Sequence, residues 1–333
     1  MVDRMMYNME TKMNFVSTAQ LNQDIMDNIH KIPHDIEVII GIPRSGMLVA
    51  SMIALYLNKP LVDIDGFIKG DIFSVGRTKN TNKLVKNSKN IHKGLVVDDS
   101  INSGESMQEA RNKLRGFKNL IYMSAYAVSS ARNKVDLFFR IIEQPRLFEW
   151  NFMHHICLLN ACLDIDGVVC VDPTPEENDD GEKYREFILN ATPKYIPTRK
   201  VGWFVTSRLE KYRHETEIWL KKHNIEYEHL IMLDLPSAEE RRRLGIHGKY
   251  KADVYKKLEK ANIFIESEIR QAEVIHELTK KNVICIENMK FFSLSNNKIL
   301  KRIEIDRNNN ENIIKLKKEK KILKETIKLL INE

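Results

Sequence analysis

Two adjacent carboxylates, Asp98 and Asp99, follow an apolar run at 95–97 and precede a loop of small polar residues. Such a pair can accept hydrogen bonds from two vicinal hydroxyls or help to hold a metal ion. Backbone N–H groups of the loop, and of the helix expected after it, suit a phosphate. Gly104 lets the backbone approach a ligand closely. The segment therefore predicts a binding site for a phosphorylated compound that carries hydroxyls.

A second loop, at 41–46 (GIPRSG), lies upstream between an expected strand and an expected helix. Its Arg44 can pair with phosphate oxygens in a bidentate way. Taken alone, the segment also fits an ordinary strand-to-helix turn with an exposed arginine. Both loops follow apolar strands, and in a parallel sheet the carboxyl ends of strands meet at one edge. Together they favour one composite site.

The two segments resemble those of the type I phosphoribosyltransferases, whose signature is an apolar strand, two acidic residues and a Ser/Thr–Gly loop. The resemblance implies that Asp98 and Asp99 contact the ribose hydroxyls of phosphoribosyl pyrophosphate. It implies that Arg44 and Ser45 belong to the loop for the pyrophosphate. It also implies a cradle for the 5-phosphate, formed by Asn102, Ser103, Gly104, Glu105 and Ser106.

Two further features bear on that resemblance. Family members carry a closing loop between the two motifs, where Arg77 and Lys79 would stabilise the leaving pyrophosphate. A solvated basic loop is the alternative. Members that act on 6-oxopurines usually have an acid at the position of Asn102, which makes purine salvage less favoured here. The aromatic stretch at 148–150 falls where a hood over the acceptor would end, and it fits a nucleobase or a sugar equally well.

A second set of acids begins at Asp164, directly after the apolar run 155–163. The segment Asp-Ile-Asp-Gly-Val resembles motif I of the haloacid-dehalogenase superfamily of phosphatases. The resemblance implies that Asp164 attacks phosphorus to give an aspartyl-phosphate. It implies that Asp166 protonates the leaving alcohol and then activates water.

The other motifs of that superfamily have counterparts in the expected order. Thr206, with Ser207 beside it, would bind the transferring phosphoryl group. Either Lys249 or Lys251 would neutralise its charge, with Lys251 preferred. Glu266 would be a magnesium ligand, with Glu268 second, beside Asp164 and Asp166. The expected cofactor is therefore Mg²⁺, which prefers oxygen ligands in octahedral geometry. A domain that keeps the fold but has lost the chemistry is the alternative.

The regular pattern of strands and helices supports two α/β domains with mainly parallel sheets. Strands are expected at 37–41, 94–97, 120–128, 155–163, 203–205, 262–265 and 282–286, and helices at 47–57, 106–114 and 210–223. The expected organisation is a phosphoribosyltransferase domain at 1–150, a phosphatase domain with a small cap at 151–295, and a basic helical tail at 296–333.

Charge and composition narrow the remaining possibilities. The net charge is +7, and residues 297–333 carry eleven basic and six acidic residues, a net of +5. The rest is near neutral, which argues against a nucleic-acid partner. No apolar run is long enough for a transmembrane helix, and the N-terminus lacks a secretory signal. Four cysteines without metal spacing indicate a reducing cytoplasm. The tail predicts an amphipathic helix that packs on its own domain, self-associates or docks a partner.

The sequence therefore predicts a bifunctional enzyme. One site would transfer 5-phosphoribosyl to an acceptor, and the other would then remove the 5-phosphate. A sugar hydroxyl, as in bacterial surface-polysaccharide synthesis, is the favoured acceptor. Two alternatives stay open: a nucleobase transferase fused to a nucleotidase, and a domain that senses phosphoribosyl pyrophosphate and regulates the phosphatase.

Overall fold

The chain folds into two compact units, which are 13–155 and 156–294 within the residues that the structure describes. The structure is a computed structural model, and it describes residues 13–71 and 91–294. The segment with Arg77 and Lys79 and the predicted tail helix lie outside the described residues.

Strands and helices alternate along both units, as expected for an α/β fold. The helices are α1 (Thr18–Asn28), α2 (Ser45–Leu57), α3 (Ile64–Lys69), α4 (Glu105–Lys113), α5 (Glu182–Asn190), α6 (Arg213–Lys222), α7 (Ala238–Leu244), α8 (His247–Lys257) and α9 (Ile269–Thr279). The strands are β1 (Asn14–Val16), β2 (Val38–Gly41), β3 (Leu61–Asp63), β4 (Gly94–Ile101), β5 (Leu120–Ala127), β6 (Leu137–Ile141), β7 (Arg146–Phe148), β8 (Ala161–Leu163), β9 (Val201–Leu209), β10 (Tyr227–Leu233), β11 (Ile263–Glu266), β12 (Asn282–Cys285) and β13 (Lys290–Phe292).

The first unit is built on a parallel five-stranded sheet with the order β3-β2-β4-β5-β6. Its central strands are nearly continuous runs of apolar residues, because helices or loops cover both faces of a parallel sheet. Two hydrophobic clusters lie on the two faces, one around Ile39 and Leu95 and the other around Ile40 and Val96. A small parallel pair, β1 with β7, completes the unit.

The second unit has a six-stranded sheet with the order β10-β9-β8-β11-β12-β13. All neighbouring strands are parallel except β13, which runs antiparallel to β12. Strand β8 lies in the middle and delivers Asp164 to the carboxyl edge. The segment between β8 and β9 holds only α5 and short bridges. In the predicted phosphatase domain, this segment is the one expected to form the small cap.

The mixed α/β class with mainly parallel sheets is confirmed, and most predicted elements lie within a few residues of the observed ones. One prediction was wrong. Residues 155–163 are not a single strand, because Ile156–Asn160 forms a 3-10 turn and only Ala161–Leu163 is extended. An apolar run of this length can be buried in either conformation. No helix in the described part of the chain is long and apolar enough to cross a bilayer.

Candidate active sites

In the first unit, the acid pair lies at the end of the central strand β4. Asp98 and Asp99 are buried, with 9% and 7% of their surface exposed. The backbone N–H of Asp99 donates to Oδ1 of Asp98 at 2.9 Å. Among the described residues, neither carboxylate forms an ion pair. The pair therefore retains free acceptor oxygens that a ligand with hydroxyl donors can use.

The upstream loop lies directly against this acid pair. Helix α2 begins at Ser45, with exposed Arg44 at its N-terminal boundary. A Cβ atom on Gly46 would come within 2.6 Å of the Val97 carbonyl oxygen and 3.1 Å of Asp98 Oδ1. Only glycine allows this approach, so Gly46 fixes the loop and the helix N-terminus beside Asp98. The two motifs, separated by about fifty residues in sequence, are thereby assembled in one site.

The predicted phosphate cradle is a turn between β4 and α4. Asn102, Ser103, Glu105 and Ser106 are exposed, and Gly104 has a φ of +85°. That left-handed conformation favours glycine and lets α4 start at Glu105. The cradle also borders a cavity of about 460 Å³. Lys134, which lies outside the turn, stabilises it, because its Nζ donates to the Ser103 carbonyl oxygen at 2.5 Å.

The aromatic stretch at 148–150 does not form a free lid. Phe148 is buried and stacks on Trp150, with ring centroids 4.8 Å apart. Glu149 accepts hydrogen bonds from the backbone N–H and the hydroxyl of Thr18 at the start of α1. Trp150 alone reaches the acid pair, since its indole N–H donates to Asp99 Oδ2 at 2.7 Å. The stretch thus connects β7 to the start of α1 and orients Asp99.

Burial raises the pKa values of both acids. The pKa of Asp98 rises to about 8, first because of burial and second because of the Asp99 carboxylate. Burial also raises the pKa of Asp99, while the hydrogen bond from Trp150 opposes the change. Arg146 acts in the same direction as Trp150, although its guanidinium donates to the carbonyls of Ile142 and Ile101.

In the second unit, an acid cluster lies at the carboxyl edge of β8 and β11. The Lys251 ammonium donates to Asp164 Oδ2 at 2.5 Å and to Glu266 Oε2 at 2.7 Å. A third bond, at 2.9 Å, goes to the amide oxygen of Gln271. Lys251 and Glu266 are almost fully buried. The pKa of Lys251 is raised above its usual range, because the two carboxylates outweigh burial.

The other predicted acid, Asp166, is bound by Arg208. Its carboxylate accepts from Arg208 Nη2 at 2.6 Å and from Nε at 3.1 Å. Arg208 is 1% exposed, and it also contacts the hydroxyl of Thr216 and the thiol of Cys170. Two buried cations of the protein itself, Lys251 and Arg208, therefore compensate negative charge of the acids in the second site.

A cavity of about 520 Å³ opens beside this cluster. Asp164, Asp166, Thr206 and Lys251 line one part of it. The Thr206 hydroxyl accepts from the backbone N–H of Arg208 at 3.2 Å, so its own proton can be donated to a ligand. Carboxylates, a hydroxyl donor and an ammonium are thus brought to one concave surface.

The predicted alternatives within this site are separated by their positions on the elements. Lys249 is exposed, whereas Lys251 belongs to the buried face of α8 with Gly248, Ala252 and Tyr255. Glu268 caps α9, because its side chain accepts from the Arg270 N–H at 3.1 Å. Lys249 and Glu268 are therefore not part of the acid–ammonium cluster.

The four predicted metal ligands are not gathered around a common point. Within 13–71 and 91–294, no group of three or more His, Cys, Asp or Glu side chains could hold a metal ion. Carboxylate oxygens suit Mg²⁺, but those of Asp164 and Glu266 that face each other are bridged by Lys251, and Asp166 binds Arg208. As arranged here, the residues do not fit a magnesium centre.

The predicted sites omitted several residues that the fold brings to them. Arg208 follows Ser207 inside an apolar strand, and a charge in such a run signals a buried partner. Arg146 follows a Glu-Gln-Pro segment at the start of β7 and carries no such signal. Gln271, Lys134 and Arg241 carry no local signal, since each lies in a polar, apparently solvent-facing helix or turn. Only the tertiary fold shows their contacts.

Comparisons with known proteins support the assignment of the first unit. The family model for the phosphoribosyl transferase domain matches residues 16–151. No curated protein matches the chain. Among solved structures, the purine phosphoribosyltransferase from Pyrococcus horikoshii Ot3 is 19% identical, with a TM-score of 0.31, over 41% of this chain and 93% of that one.

Two further structures are similar at comparable levels. The xanthine-guanine-hypoxanthine phosphoribosyltransferase of Helicobacter pylori is 18% identical, with a TM-score of 0.32, over 41% of this chain and 92% of that one. A chain of the Pnkp1/Rnl/Hen1 RNA repair complex is 11% identical, with a TM-score of 0.27, over 82% of this chain and 94% of that one. Because all three TM-scores are below 0.5, the assignment depends on the family model.

The family model therefore supports a phosphoribosyltransferase domain at residues 16–151. This domain contains the acid pair, the Gly46 loop and the turn at 102–106. It supports an enzyme that uses phosphoribosyl pyrophosphate and transfers its phosphoribosyl group.

Proposed function

We propose that the chain is a bifunctional enzyme that transfers 5-phosphoribosyl from phosphoribosyl pyrophosphate to an acceptor and then removes the 5-phosphate. The observation that carries this proposal is the presence of two acid clusters, each at the carboxyl end of a central parallel strand. The clusters differ in their partners: within 13–71 and 91–294 no cation pairs with Asp98 or Asp99, whereas Asp164 and Glu266 share Lys251.

In the transfer step, the anomeric C–O bond to pyrophosphate breaks and an acceptor oxygen bonds to the same carbon. The proton of the acceptor hydroxyl passes to solvent or to the departing pyrophosphate. Asp98 and Asp99 accept hydrogen bonds from the ribose hydroxyls, and the backbone N–H groups at 102–106 bind the 5-phosphate. Arg44 and the N-terminus of α2 bind the pyrophosphate, where the helix dipole favours negative charge.

In the hydrolytic step, Asp164 attacks phosphorus and the bond to the ribose oxygen breaks. Lys251 and the Thr206 hydroxyl stabilise the charge on the phosphoryl oxygens. Asp166 relays a proton from solvent to the leaving alcohol, and Arg208 fixes the direction of its carboxylate. Water then releases phosphate and restores Asp164. No step is assigned to Mg²⁺, because the predicted ligands bind Lys251 and Arg208 instead.

We propose a sugar hydroxyl as the acceptor, as in the synthesis of a bacterial surface polysaccharide. Asn102 supports this choice, because an amide cannot take a proton from a purine ring. The small cap over the second site also supports it, since a site with a small cap admits a bulky phosphorylated product. Cys162, Cys170 and Cys285 are free thiols, as in the reducing cytoplasm where we expect the enzyme to act.

Removal of the 5-phosphate would give the two reactions a direction. The first site binds its product through that phosphate. Hydrolysis therefore removes the group on which the reverse reaction depends. Two sites on one chain then make a reversible transfer effectively one-way. This is the physical reason for combining them.

Pyrophosphate release tests the proposal. The full chain is mixed with phosphoribosyl pyrophosphate and either a panel of bacterial oligosaccharides or a panel of nucleobases. Release that depends on an oligosaccharide supports a sugar acceptor. Release that depends on a nucleobase contradicts it and favours nucleotide metabolism. Binding without release under all conditions contradicts transfer altogether and identifies a sensor domain.

A further inference from the structure

Arg241 is a buried cation without a carboxylate partner. It lies in α7, where Ala238 and Arg241 face inward and Arg242 and Arg243 are exposed. Only 7% of its surface is exposed. Its Nη1 donates to the Ser207 carbonyl oxygen at 2.8 Å, and its buried Nε has no hydrogen-bond partner among the described residues.

The other buried arginine of this unit shows what is missing. Arg208 is paired with Asp166, whereas no carboxylate of the described residues lies within 4.0 Å of Arg241. A buried charge is costly unless it is paired and hydrogen-bonded. The Arg241 guanidinium lies near the Tyr184 hydroxyl, which is neutral and does not compensate the charge. An anionic ligand would compensate the charge of the Arg241 guanidinium.

Ser207 provides a second, independent observation. It is 8% exposed, and in the part of the chain that the structure describes its buried hydroxyl oxygen has no hydrogen-bond partner. Ser207 and Arg241 line the same cavity of about 520 Å³ as Asp164 and Lys251. Unpaired buried polar groups are uncommon in native proteins, and two of them converge here on an open cavity.

The local electrostatics favour a negative ligand at this position. The pKa of His247, which also lines the cavity, is lowered to about 4 by burial and by the charges of Arg241 and Lys251. Helix α7 is also held firmly, because Asp180 accepts from the Ala238 N–H at 2.9 Å and pairs with Lys211. Arg241 is thus presented on a fixed element, as a binding residue should be.

We propose that Arg241 and Ser207 bind a second anionic group of the substrate of the Asp164 site. The preferred substrates then carry the phosphate to be removed and, close to it, another phosphate or carboxylate. The inference rests on hydrolysis at Asp164. For the two reactions in series, the second anionic group belongs to the acceptor, next to the new ribosyl group.

Two considerations separate this position from that of the phosphate to be removed. The transferring phosphoryl group has its own cation, Lys251, and its own hydroxyl, Thr206. Arg241 instead donates a hydrogen bond to the carbonyl oxygen of Ser207, the residue that follows Thr206. The cavity also falls in the range of roughly 300–1,000 Å³ that holds a whole small molecule rather than one phosphate.

Phosphate release from ribose 5-phosphate and ribose 1,5-bisphosphate tests the proposal. The wild-type chain should have the higher kcat/KM for the bisphosphate. Arg241→Gln should lower that value by roughly 10- to 100-fold, because charged hydrogen bonds are lost, and should change the value for ribose 5-phosphate little. Arg242→Gln, an exposed neighbour on the same helix, is the matched control and should behave as wild type. Arg241→Lys keeps the charge without Nε and should fall between.

The alternatives give different outcomes. Equal losses on both substrates would place Arg241 at the transferring phosphate and overturn the proposal, and so would no loss on either. If the wild-type chain hydrolyses neither substrate, hydrolysis at Asp164 fails as the proposed function. Calorimetric binding of ribose 1,5-bisphosphate then decides about the anion site. Tighter binding to wild type than to Arg241→Gln supports it, and equal binding refutes it. Circular dichroism confirms that each variant is folded.

Discussion

The two units treat their buried acids in opposite ways. Asp98 and Asp99 lie side by side at the end of β4, and the described part of the chain gives them no ion pair. The acids at the end of β8 and β11 are instead held by cations, with Lys251 on Asp164 and Glu266. The first cluster is left to be completed by a ligand, whereas the second is largely completed by the protein.

This difference has energetic consequences. A buried like-charged pair raises the free energy of the folded state, so the first site reduces the stability of its unit in return for function. A buried acid–ammonium cluster is sensitive in the opposite sense, since removing the cation leaves uncompensated charges. Substitutions at the two sites should therefore change stability in opposite directions.

The largest effect is expected from Lys251→Met. This change leaves Asp164 and Glu266 buried without their shared cation, and loss of one partner of a buried ion pair costs about 3–5 kcal/mol. Hydrogen exchange followed by mass spectrometry, on peptides from 156–294, measures the loss of unfolding free energy.

Lys249→Met, on the exposed face of the same helix, is the control and should stay within about 0.5 kcal/mol of wild type. Equal effects of the two substitutions would show that Lys251 does not compensate the acids. The proposed difference between the two sites, in which only the second has its acids compensated by a protein cation, would then be wrong.

The next effect concerns the chemistry of the first site. The double change Asp98→Asn/Asp99→Asn should lower pyrophosphate release by about 10²–10³-fold, as is common when charge stabilisation is lost. Hydrolysis of p-nitrophenyl phosphate should remain near the wild-type rate, because that reaction uses the other unit. Loss of both activities in a folded variant would argue against two independent sites.

A smaller effect should appear in the pH dependence of stability. The folded pKa of Asp98 is about 8, against 3.8 for the unfolded residue. The folded state therefore holds a proton that the unfolded chain has lost, and this contribution to stability, full below about pH 4, disappears as the pH rises towards 8. Asp98→Asn should make the first unit more stable than wild type by about 1–2 kcal/mol at pH 9, and much less so at pH 5.

Hydrogen exchange on peptides from 91–155, compared at both pH values, measures this difference. A variant that is less stable than wild type at pH 9 would show that the two carboxylates do not repel each other in the folded state.

The smallest effect is expected at Glu268. Its side chain caps α9, so Glu268→Ala should cost about 1 kcal/mol of stability, as for other helix caps, and should leave the rate of phosphomonoester hydrolysis nearly unchanged. Glu266→Gln is the matched comparison and should lower that rate strongly, since it weakens the bond to Lys251. Strong loss of activity in the Glu268 variant would show that Glu268 takes part in the hydrolytic site.

The sequence predicted the strand ends that carry the acids, because apolar runs followed by Asp-Asp or Asp-x-Asp are local signals. It did not decide between Lys249 and Lys251. Both lysines lie on helix α8, and the sequence of a helix does not by itself say which face is buried. Which lysine enters the site depends on how α8 packs against the sheet. Glu266 and Glu268 were ambiguous for a similar reason, since strand β11 ends between them and boundaries are the least certain part of any pattern.

Other parts of the sites were not predictable from local patterns. Arg241 belongs to a run of two glutamates and three arginines, which is typical of a solvated helix, and only the burial of one face of α7 singles it out. The aromatic residues at 148–150 were expected to cover an acceptor. Their burial depends on Tyr126, which is distant in sequence and stacks with Phe148.

The most direct test of the two reactions in series uses Asp164→Asn, which keeps the shape of the second site but replaces its nucleophile with an amide. Mass spectrometry measures the product formed from phosphoribosyl pyrophosphate and the acceptor that stimulates pyrophosphate release. The wild-type chain should give a ribosyl product, and the variant should accumulate the same product heavier by one HPO₃ unit. Identical products from both proteins would contradict the account.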